Sequence, residues 1–346
     1  MLRADRGEEL TIAFLGGSIT QGSLTTKPEN TYAWQVFSWW KKSFPKARFN
    51  YVNGGIGGTT SHFGVARVVA DVLMYQPDFV IVDFSVNDEA NAFFQETYEG
   101  LVRRLLQWKS RPAVLLLNNV FYDTGENAQK YHNAVGTWYQ VPHVSIKDTL
   151  YKKMKQVQYA TKELTPDGLH PNDLGHRLVA EEINVFLEKV KSHMLEVEAE
   201  NALPVAMTTN AYEQAERLTI RECVPKLYGF HADSKEKTGH LDFFKNGWIG
   251  RHPGDRIFFE VEASCIAVQY RKTIQRPALR AKLILDGSEE QMVLLDGNFE
   301  EDWGDCLYLQ PILHHGERKI HTVELVVLSD TEKQATPFYL MSLIIA

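Results

Sequence analysis

Cysteine is scarce in this chain of 346 residues, and the few cysteines present are far apart. Cys223, Cys265 and Cys306 all lie C-terminal to residue 220, and no C-x-x-C pair occurs. An odd, widely spaced set gives little support to a disulfide framework or a cysteine-ligated zinc site and is typical of a reducing compartment.

The histidines do not follow a metal-ligand spacing either. His62 and His143 are isolated in the sequence, and the adjacent His314 and His315 are predicted to point in opposite directions on a strand. We therefore expect no bound metal.

Long apolar runs and blocks of basic residues are also missing. No stretch reaches the roughly 20 apolar residues of a membrane span, and the charged N-terminus MLRADRGEEL has no apolar signal-peptide core. A net charge of -7 without a basic block argues against a nucleic-acid partner. These features predict a cytoplasmic protein with no membrane partner, unless a leader was removed before this numbering begins.

Apolar runs and helical patterns alternate through the first half of the chain, which predicts a parallel α/β sheet with helices on both faces. The predicted strands are continuously apolar, as strands buried on both faces are. They are Leu10–Leu15, Phe49–Val52, Phe79–Phe84, Val114–Leu117 and Val141–Val144. The predicted helices are Tyr32–Phe44, Phe63–Met74, Gln95–Trp108, Gln129–Tyr139, Leu150–Tyr159 and a last helix that Asn172 or Asp173 can cap.

A change in the pattern of apolar and polar residues near residue 191 predicts a second domain. From Leu218 onward short alternating runs such as RIFFEVEA, CIAVQYR and HTVELVVLS dominate, which is typical of a β-sandwich or jelly roll. The predicted organisation is an α/β domain over residues 1–195, a connecting segment over 196–216 and an all-β domain over 217–346.

Four short polar stretches follow predicted strands or precede the last predicted helix of the first domain. They are GGSIT (Gly16–Thr20), NGGIGGTTS (Asn53–Ser61), SVND (Ser85–Asp88) and TPDGLHPND (Thr165–Asp173). Each alone fits a structural turn or cap. Together they fall at one edge of the predicted sheet, beyond the strand ends where ligands of open α/β sheets bind.

Familiar nucleotide and hydrolase motifs do not account for these stretches. Thr60 stands where G-x-G-x-x-G requires its last glycine, and no G-K-[ST] follows the glycine-rich run. Thr20 stands where G-x-S-x-G requires glycine, which argues against the α/β-hydrolase fold.

The four stretches, in this order, resemble the sequence blocks of the SGNH (GDSL-type) hydrolase family over about residues 11–190. The resemblance implies a flavodoxin-like domain in which Ser18 is the nucleophile and Asp167 and His170 are the acid and base. It also implies an oxyanion hole made by the Ser18 N–H, the Gly58 N–H and the Asn87 side chain. Such a serine mechanism uses no cofactor. The chain departs from the family in having GGSIT for G-D-S-L, and Ser85 where many members have glycine.

The predicted all-β domain helps to predict which class of ester the protein hydrolyses. An SGNH domain followed by a carbohydrate-binding-like β domain resembles the two-domain acetylesterases of carbohydrate esterase family seventeen, which act on acetylated manno-oligosaccharides. Trp248 and Trp303 stand in loop-like contexts, so we expect them to stack on sugar, although ordinary packing accounts for each equally well. The alternatives are a lysophospholipase or thioesterase of the same family, and a non-catalytic carbohydrate-binding protein.

Overall fold

The computed structural model describes residues 1–156, 158–194, 202–329 and 335–346. The chain divides into two compact units, Met1–Glu213 and Gln214–Ala346. The predicted connecting segment 196–216 lies partly outside the described residues. No helix in the described ranges is long and apolar enough to cross a membrane.

A parallel sheet forms the centre of the first unit, with strand order β2-β1-β3-β4-β5. Over the described part of this unit its strands are β1 (Glu9–Gly16), β2 (Arg48–Gly55), β3 (Phe79–Asp83), β4 (Ala113–Asn118) and β5 (His143–Ser145). This is the flavodoxin-like order, so the predicted fold of the first domain is confirmed.

Helices cover both faces of the sheet because its strands are apolar on both sides. They are α1 (Leu2–Asp5), α2 (Ser18–Gln21), α3 (Tyr32–Ser43), α4 (Ser61–Asp71), α5 (Ala92–Leu106), α6 (Gln129–Trp138), α7 (Leu150–Lys155), α8 (Thr161–Leu164) and α9 (Asp173–Ser192), with 3₁₀ turns at Pro28–Asn30 and Leu73–Tyr75. Val36 and Trp40 of α3 and Ile183 of α9 pack in one core with Ile12 and Phe14 of β1. The side chain of Asn172 accepts a hydrogen bond from the Gly175 N–H, which confirms the predicted cap.

The register of the sheet brings three strand ends together. Gly16, the last residue of β1, lies opposite Gly55 of β2 on one side and Asp83 of β3 on the other. The turn after each strand therefore starts at the same edge of the sheet, as the sequence predicts for the first three polar stretches.

The last residues of the first unit are bound to α5 by polar contacts. The Glu99 carboxylate accepts hydrogen bonds from the backbone N–H groups of Met207 and Thr208, and Arg103 forms an ion pair with Glu213. The described residues from 202 to 213, which the sequence assigned to a connecting segment, therefore pack on the α/β unit.

Two antiparallel sheets form the second unit, which confirms the predicted all-β domain. Their strand orders are β13-β12-β15-β10-β7 and β14-β11-β16-β9-β8, and β6 also pairs with β16. The strands are β6 (Glu216–Leu218), β7 (Lys226–Tyr228), β8 (His231–Ala232), β9 (Trp248–Gly250), β10 (Arg256–Ala263), β11 (Ile266–Lys272), β12 (Arg280–Leu285), β13 (Val293–Asp296), β14 (Cys306–Leu313), β15 (Lys319–Val327) and β16 (Phe338–Ile345), with a 3₁₀ turn at Glu289–Gln291. Phe259 and Leu325 of the first sheet share a core with Val268 and Leu340 of the second.

Two predictions about the second unit are wrong. Trp248 is in strand β9 instead of a loop, and only 1% of it is exposed because it packs in the core against Phe259. His314 and His315 follow β14 in a bend, with ring centroids 4.1 Å apart, so they do not point in opposite directions along a strand.

Candidate active site

Ser18 is the first residue of α2, directly after the turn that ends β1. Its Oγ lies 2.8 Å from Nε2 of His170, a residue more than 150 positions further along the chain. The short helix begins at the sheet edge because Gly16 and Gly17 let the backbone turn there with no side chain between it and β3. A serine hydroxyl and an imidazole nitrogen in hydrogen-bond contact are the pair that nucleophilic catalysis requires.

Asp167 holds the ring of His170 in one orientation. Asp167 Oδ2 lies 2.7 Å from His170 Nδ1, and Asp167 Oδ1 accepts from the N–H groups of Leu169 and His170 and from the Thr165 hydroxyl. Partial burial raises the pKa of the Asp167 carboxyl, but the hydrogen bonds from the His170 ring and from the N–H groups of Leu169 and His170 outweigh it and bring the pKa to about 2. The ionised carboxylate only accepts hydrogen bonds, so Nδ1 carries the ring proton and Nε2 accepts from Ser18.

The loop that carries Asp167 and His170 is held by a backbone hydrogen bond from the segment that follows β4. The Tyr122 N–H donates to the Gly168 carbonyl at 2.7 Å. Gly168 has a φ of +81°, and a Cβ there would lie 2.8 Å from Asp123 Oδ2. Glycine is therefore required between Asp167 and the imidazole, on grounds of both backbone conformation and space.

Asn87 lies next to the turn that carries Ser18, Gly16–Ser18. The N–H groups of Asn87 and Asp88 both donate to the Phe84 carbonyl, so the chain turns sharply after β3. A Cβ built on Gly17 would lie 2.2 Å from Asn87 Oδ1 and 2.9 Å from its Nδ2. The amide of Asn87 thus sits against the backbone that immediately precedes Ser18.

The glycine-rich loop after β2 lies on another side of Ser18. A Cβ on Gly57 would be 3.6 Å from Ser18 Cβ, and the Gly57 N–H donates to Gln21 Oε1 at 2.6 Å. Gly58 is exposed and has a φ of +67°, which favours glycine. Ser18, Gly58 and Asn87 therefore belong to three turns that meet at one sheet edge, as the sequence predicted.

A second layer of buried polar groups lies below these turns. Asp83, at the end of β3, accepts from the Thr20 hydroxyl at 3.1 Å and from Asn119 Nδ2 at 2.9 Å. Burial raises the pKa of Asp83, and although these two hydrogen bonds lower it, the result is about 7.

Asp88 makes a similar connection beside the turn that carries Asn87. Its carboxylate accepts from the Ser61 N–H at 2.8 Å and lies 3.0 Å from His132 Nε2. Because Asp88 follows Asn87 and Ser61 follows the glycine-rich loop, this buried side chain connects the two turns. Sequence reasoning did not assign Asp83, Asp88 or Gln21; a lone acid inside the apolar run FVIVDF was the available indication for Asp83.

The two predicted sugar-stacking residues belong to the second unit and differ in exposure. Trp248 is core, as described above. Trp303 is 55% exposed; its indole N–H donates to Glu301 and its ring meets Phe299 edge-on, with the centroids 5.0 Å apart.

Comparison with known proteins defines the class. Residues 14–178 match the GDSL-like lipase/acylhydrolase family. Two solved structures of a two-domain esterase active on acetylated mannans, one co-crystallised with mannopentaose, are 50% identical to this chain, with TM-scores of 0.96 and 0.97. Each covers 99% of this chain, which covers 92% and 93% of them. The chain belongs to the GDSL (SGNH) hydrolase family and is a carboxylic ester hydrolase.

A more distant relative has been characterised in Escherichia coli. Thioesterase 1/protease 1/lysophospholipase L1 of strain K12 is 26% identical over 188 residues, which is 53% of this chain and 86% of that protein. The two-domain similarity therefore extends over nearly the whole chain, whereas this one extends over about half of it.

Proposed function

We propose that this protein is a carbohydrate O-acetylesterase that removes acetyl groups from acetylated manno-oligosaccharides with Ser18 as nucleophile. The observation that carries the proposal is the continuous hydrogen-bond chain from Ser18 Oγ through His170 to the Asp167 carboxylate. In this arrangement His170 accepts the Ser18 proton as Oγ attacks the ester carbonyl, and Asp167 stabilises the imidazolium that forms.

The later steps of the reaction use the same groups. The imidazolium of His170 gives its proton to the sugar oxygen as the sugar leaves, and the acetyl group remains on Ser18. Water then attacks the acetyl-serine while His170 accepts a proton from it and passes that proton to Ser18 Oγ, which releases acetate and restores the hydroxyl. His170 gives up each proton that it accepts, so the residues described complete the cycle without a cofactor.

The oxyanion hole in this proposal consists of the Ser18 N–H, the Gly58 N–H and the Asn87 amide. Their three turns lie at one edge of the sheet, and negative charge develops on the substrate carbonyl oxygen as Ser18 Oγ attacks. Losing one such donor in a serine hydrolase costs about 2.7–4 kcal/mol of transition-state stabilisation, so this hole would supply a large part of the rate.

The choice of a carbohydrate acetyl ester rests on the two-domain relative that acts on acetylated mannans. The 50% identity extends over 99% of this chain, so the resemblance includes the second unit as well as the first. The Escherichia coli relative favours a second candidate, a thioesterase or lysophospholipase.

Acyl-chain selectivity separates these two candidates. We expect hydrolysis of an aryl acetate and weak or no hydrolysis of the matching long-chain aryl ester; the reverse preference would favour the second candidate. A serine-directed phosphonate should label Ser18 and stop both activities. Absence of labelling would instead support a non-catalytic carbohydrate-binding protein.

Trp303 is proposed as a sugar contact of the second unit, because its ring is largely exposed. Trp303→Ala is expected to lower kcat/KM for an acetylated oligosaccharide by about tenfold and to leave an aryl acetate unaffected, since remote binding energy is realised only with the larger substrate. Equal losses on both substrates would indicate a packing role instead.

A further inference from the structure

Asp83 contacts the nucleophile turn on both sides of Ser18. Its backbone carbonyl accepts from the Gly17 N–H at 3.3 Å, and its carboxylate accepts from the Thr20 hydroxyl at 3.1 Å. Ser18 therefore lies on a short segment that one residue of β3 holds at two points. The backbone contact is available to any residue at position 83, whereas the contact with Thr20 depends on the side chain.

The hydrogen bonds around Asp83 form one directed chain. Tyr32 Oη lies 2.8 Å from Thr20 Oγ1, and Thr20 in turn donates to Asp83 Oδ2. Asn119, directly after β4, donates its Nδ2 to the same oxygen at 2.9 Å. Both donors thus converge on Oδ2, while Oδ1 is buried with no hydrogen-bond partner among the described residues.

A carboxyl group in this position is costly to the fold. Asp83 is only 2% exposed, and the other four residues of β3 are apolar and buried. Burying a carboxyl group with one oxygen unpaired costs free energy that an apolar residue at the same place would not. The position therefore serves something other than packing of the strand.

We propose that Asp83 is a positioning residue for the reaction: it accepts the Thr20 hydroxyl and so fixes the helix that presents Ser18 Oγ to His170. The inference rests on the proposed role of Ser18. It assigns to Asp83 the task of an acceptor at one oxygen, not of a charge. An asparagine can place its amide oxygen where Oδ2 now lies, so Asp83→Asn should retain the function.

Matched variants at two positions test this inference. Thr20→Val is isosteric and removes the hydroxyl, whereas Thr20→Ser keeps it; Asp83→Asn keeps the acceptor without the charge. For each variant we would measure the labelling rate with a serine-directed phosphonate and the aryl acetate kcat per labelled site. Counting labelled sites excludes any unfolded fraction, and peptide mapping identifies the labelled serine.

The expected result is a loss of about tenfold or more in kcat and labelling rate for Thr20→Val, with KM nearly unchanged, because small misplacement of a nucleophile is costly. Thr20→Ser and Asp83→Asn should stay within about threefold of wild type. The inference is overturned if Thr20→Val matches wild type, if Thr20→Ser is as slow as Thr20→Val, or if Asp83→Asn is as slow. Labelling of a serine other than Ser18 in the wild-type protein would instead overturn the proposed function.

Discussion

The side chain of Asn87 occupies the space directly beside the Cα of Gly17. A Cβ on Gly17 would lie 2.2 Å from Asn87 Oδ1, a distance that no relaxed side chain tolerates. The residue before Ser18 is glycine here because the amide of Asn87, from the neighbouring strand end, lies against it. Gly17 stands where the G-D-S-L motif has aspartate. The choice of residue at this position is therefore linked to where Asn87, a proposed oxyanion donor, places its amide.

Gly17→Ala should consequently act through Asn87. The added methyl would push the amide out of the proposed oxyanion hole, and we expect kcat for an aryl acetate to fall by about 10²–10³, as when one oxyanion donor is lost. Steady-state kinetics of Gly17→Ala, Asn87→Ala and the double variant check this. If the losses of the single variants simply add, Gly17 acts independently of Asn87 and this account of the position is wrong.

Gln21 connects α2, the helix that begins at Ser18, to the glycine-rich loop through the hydrogen bond from the Gly57 N–H. Gln21→Leu leaves that N–H without its acceptor, so the neighbouring Gly58 N–H should lose its fixed direction and kcat should fall by roughly tenfold. Gln21→Glu keeps an acceptor and serves as the control, with kcat near that of wild type. Equal kinetics for the leucine and glutamate variants would contradict a positioning role for this contact.

The carboxyl of Asp167 should not contribute a limb to the pH–rate profile. With a pKa of about 2, Asp167 stays ionised throughout the working range. Asp167→Asn should lower kcat strongly, because an amide no longer holds the imidazole in the tautomer whose Nε2 accepts from Ser18. Steady-state kinetics of the variant measure this loss, and a kcat close to that of wild type would mean that another carboxylate orients His170.

The free energy of unfolding should depend on pH through the carboxyl of Asp83. Its pKa rises from 3.8 to about 7 on folding, so between these values the native state holds a proton that the unfolded chain has released. The free energy of unfolding of wild type should therefore fall with rising pH relative to Asp83→Asn. The difference should reach on the order of 4 kcal/mol by pH 7 and level off above it. Denaturant titrations at a series of pH values measure this difference, and a flat difference would contradict the burial cost assigned to Asp83.

The architecture was predictable because burial on both faces makes each parallel strand a continuous apolar run. The turns at Ser18, Asn53–Ser61 and Asn87 follow such runs, so one sheet edge had to collect them. Trp248 was misjudged for the opposite reason: its neighbours resemble a loop, and its burial depends on pairing with Leu340 of β16, far along the chain.

The second layer of the site was beyond sequence reasoning. The partners of Asp83 are Thr20 and Asn119, which are 63 and 36 positions away. The residue types threonine and asparagine do not by themselves predict these contacts. The contact of Gln21 with Gly57 likewise depends on the fold: α2 places Gln21, three residues after Ser18, against the glycine-rich loop. Spacing in the sequence predicted which groups share an edge, whereas their hydrogen bonds follow only from the packed backbone.

Mass spectrometry of an acetylated manno-oligosaccharide panel, before and after incubation with wild type and with Ser18→Ala, tests the central claim most directly. The account predicts that wild type removes acetyl groups stepwise while folded Ser18→Ala, which keeps the same backbone and oxyanion donors, retains at most about a thousandth of that rate. Deacetylation by Ser18→Ala at a rate close to that of wild type, or a panel left intact by wild type, would contradict it.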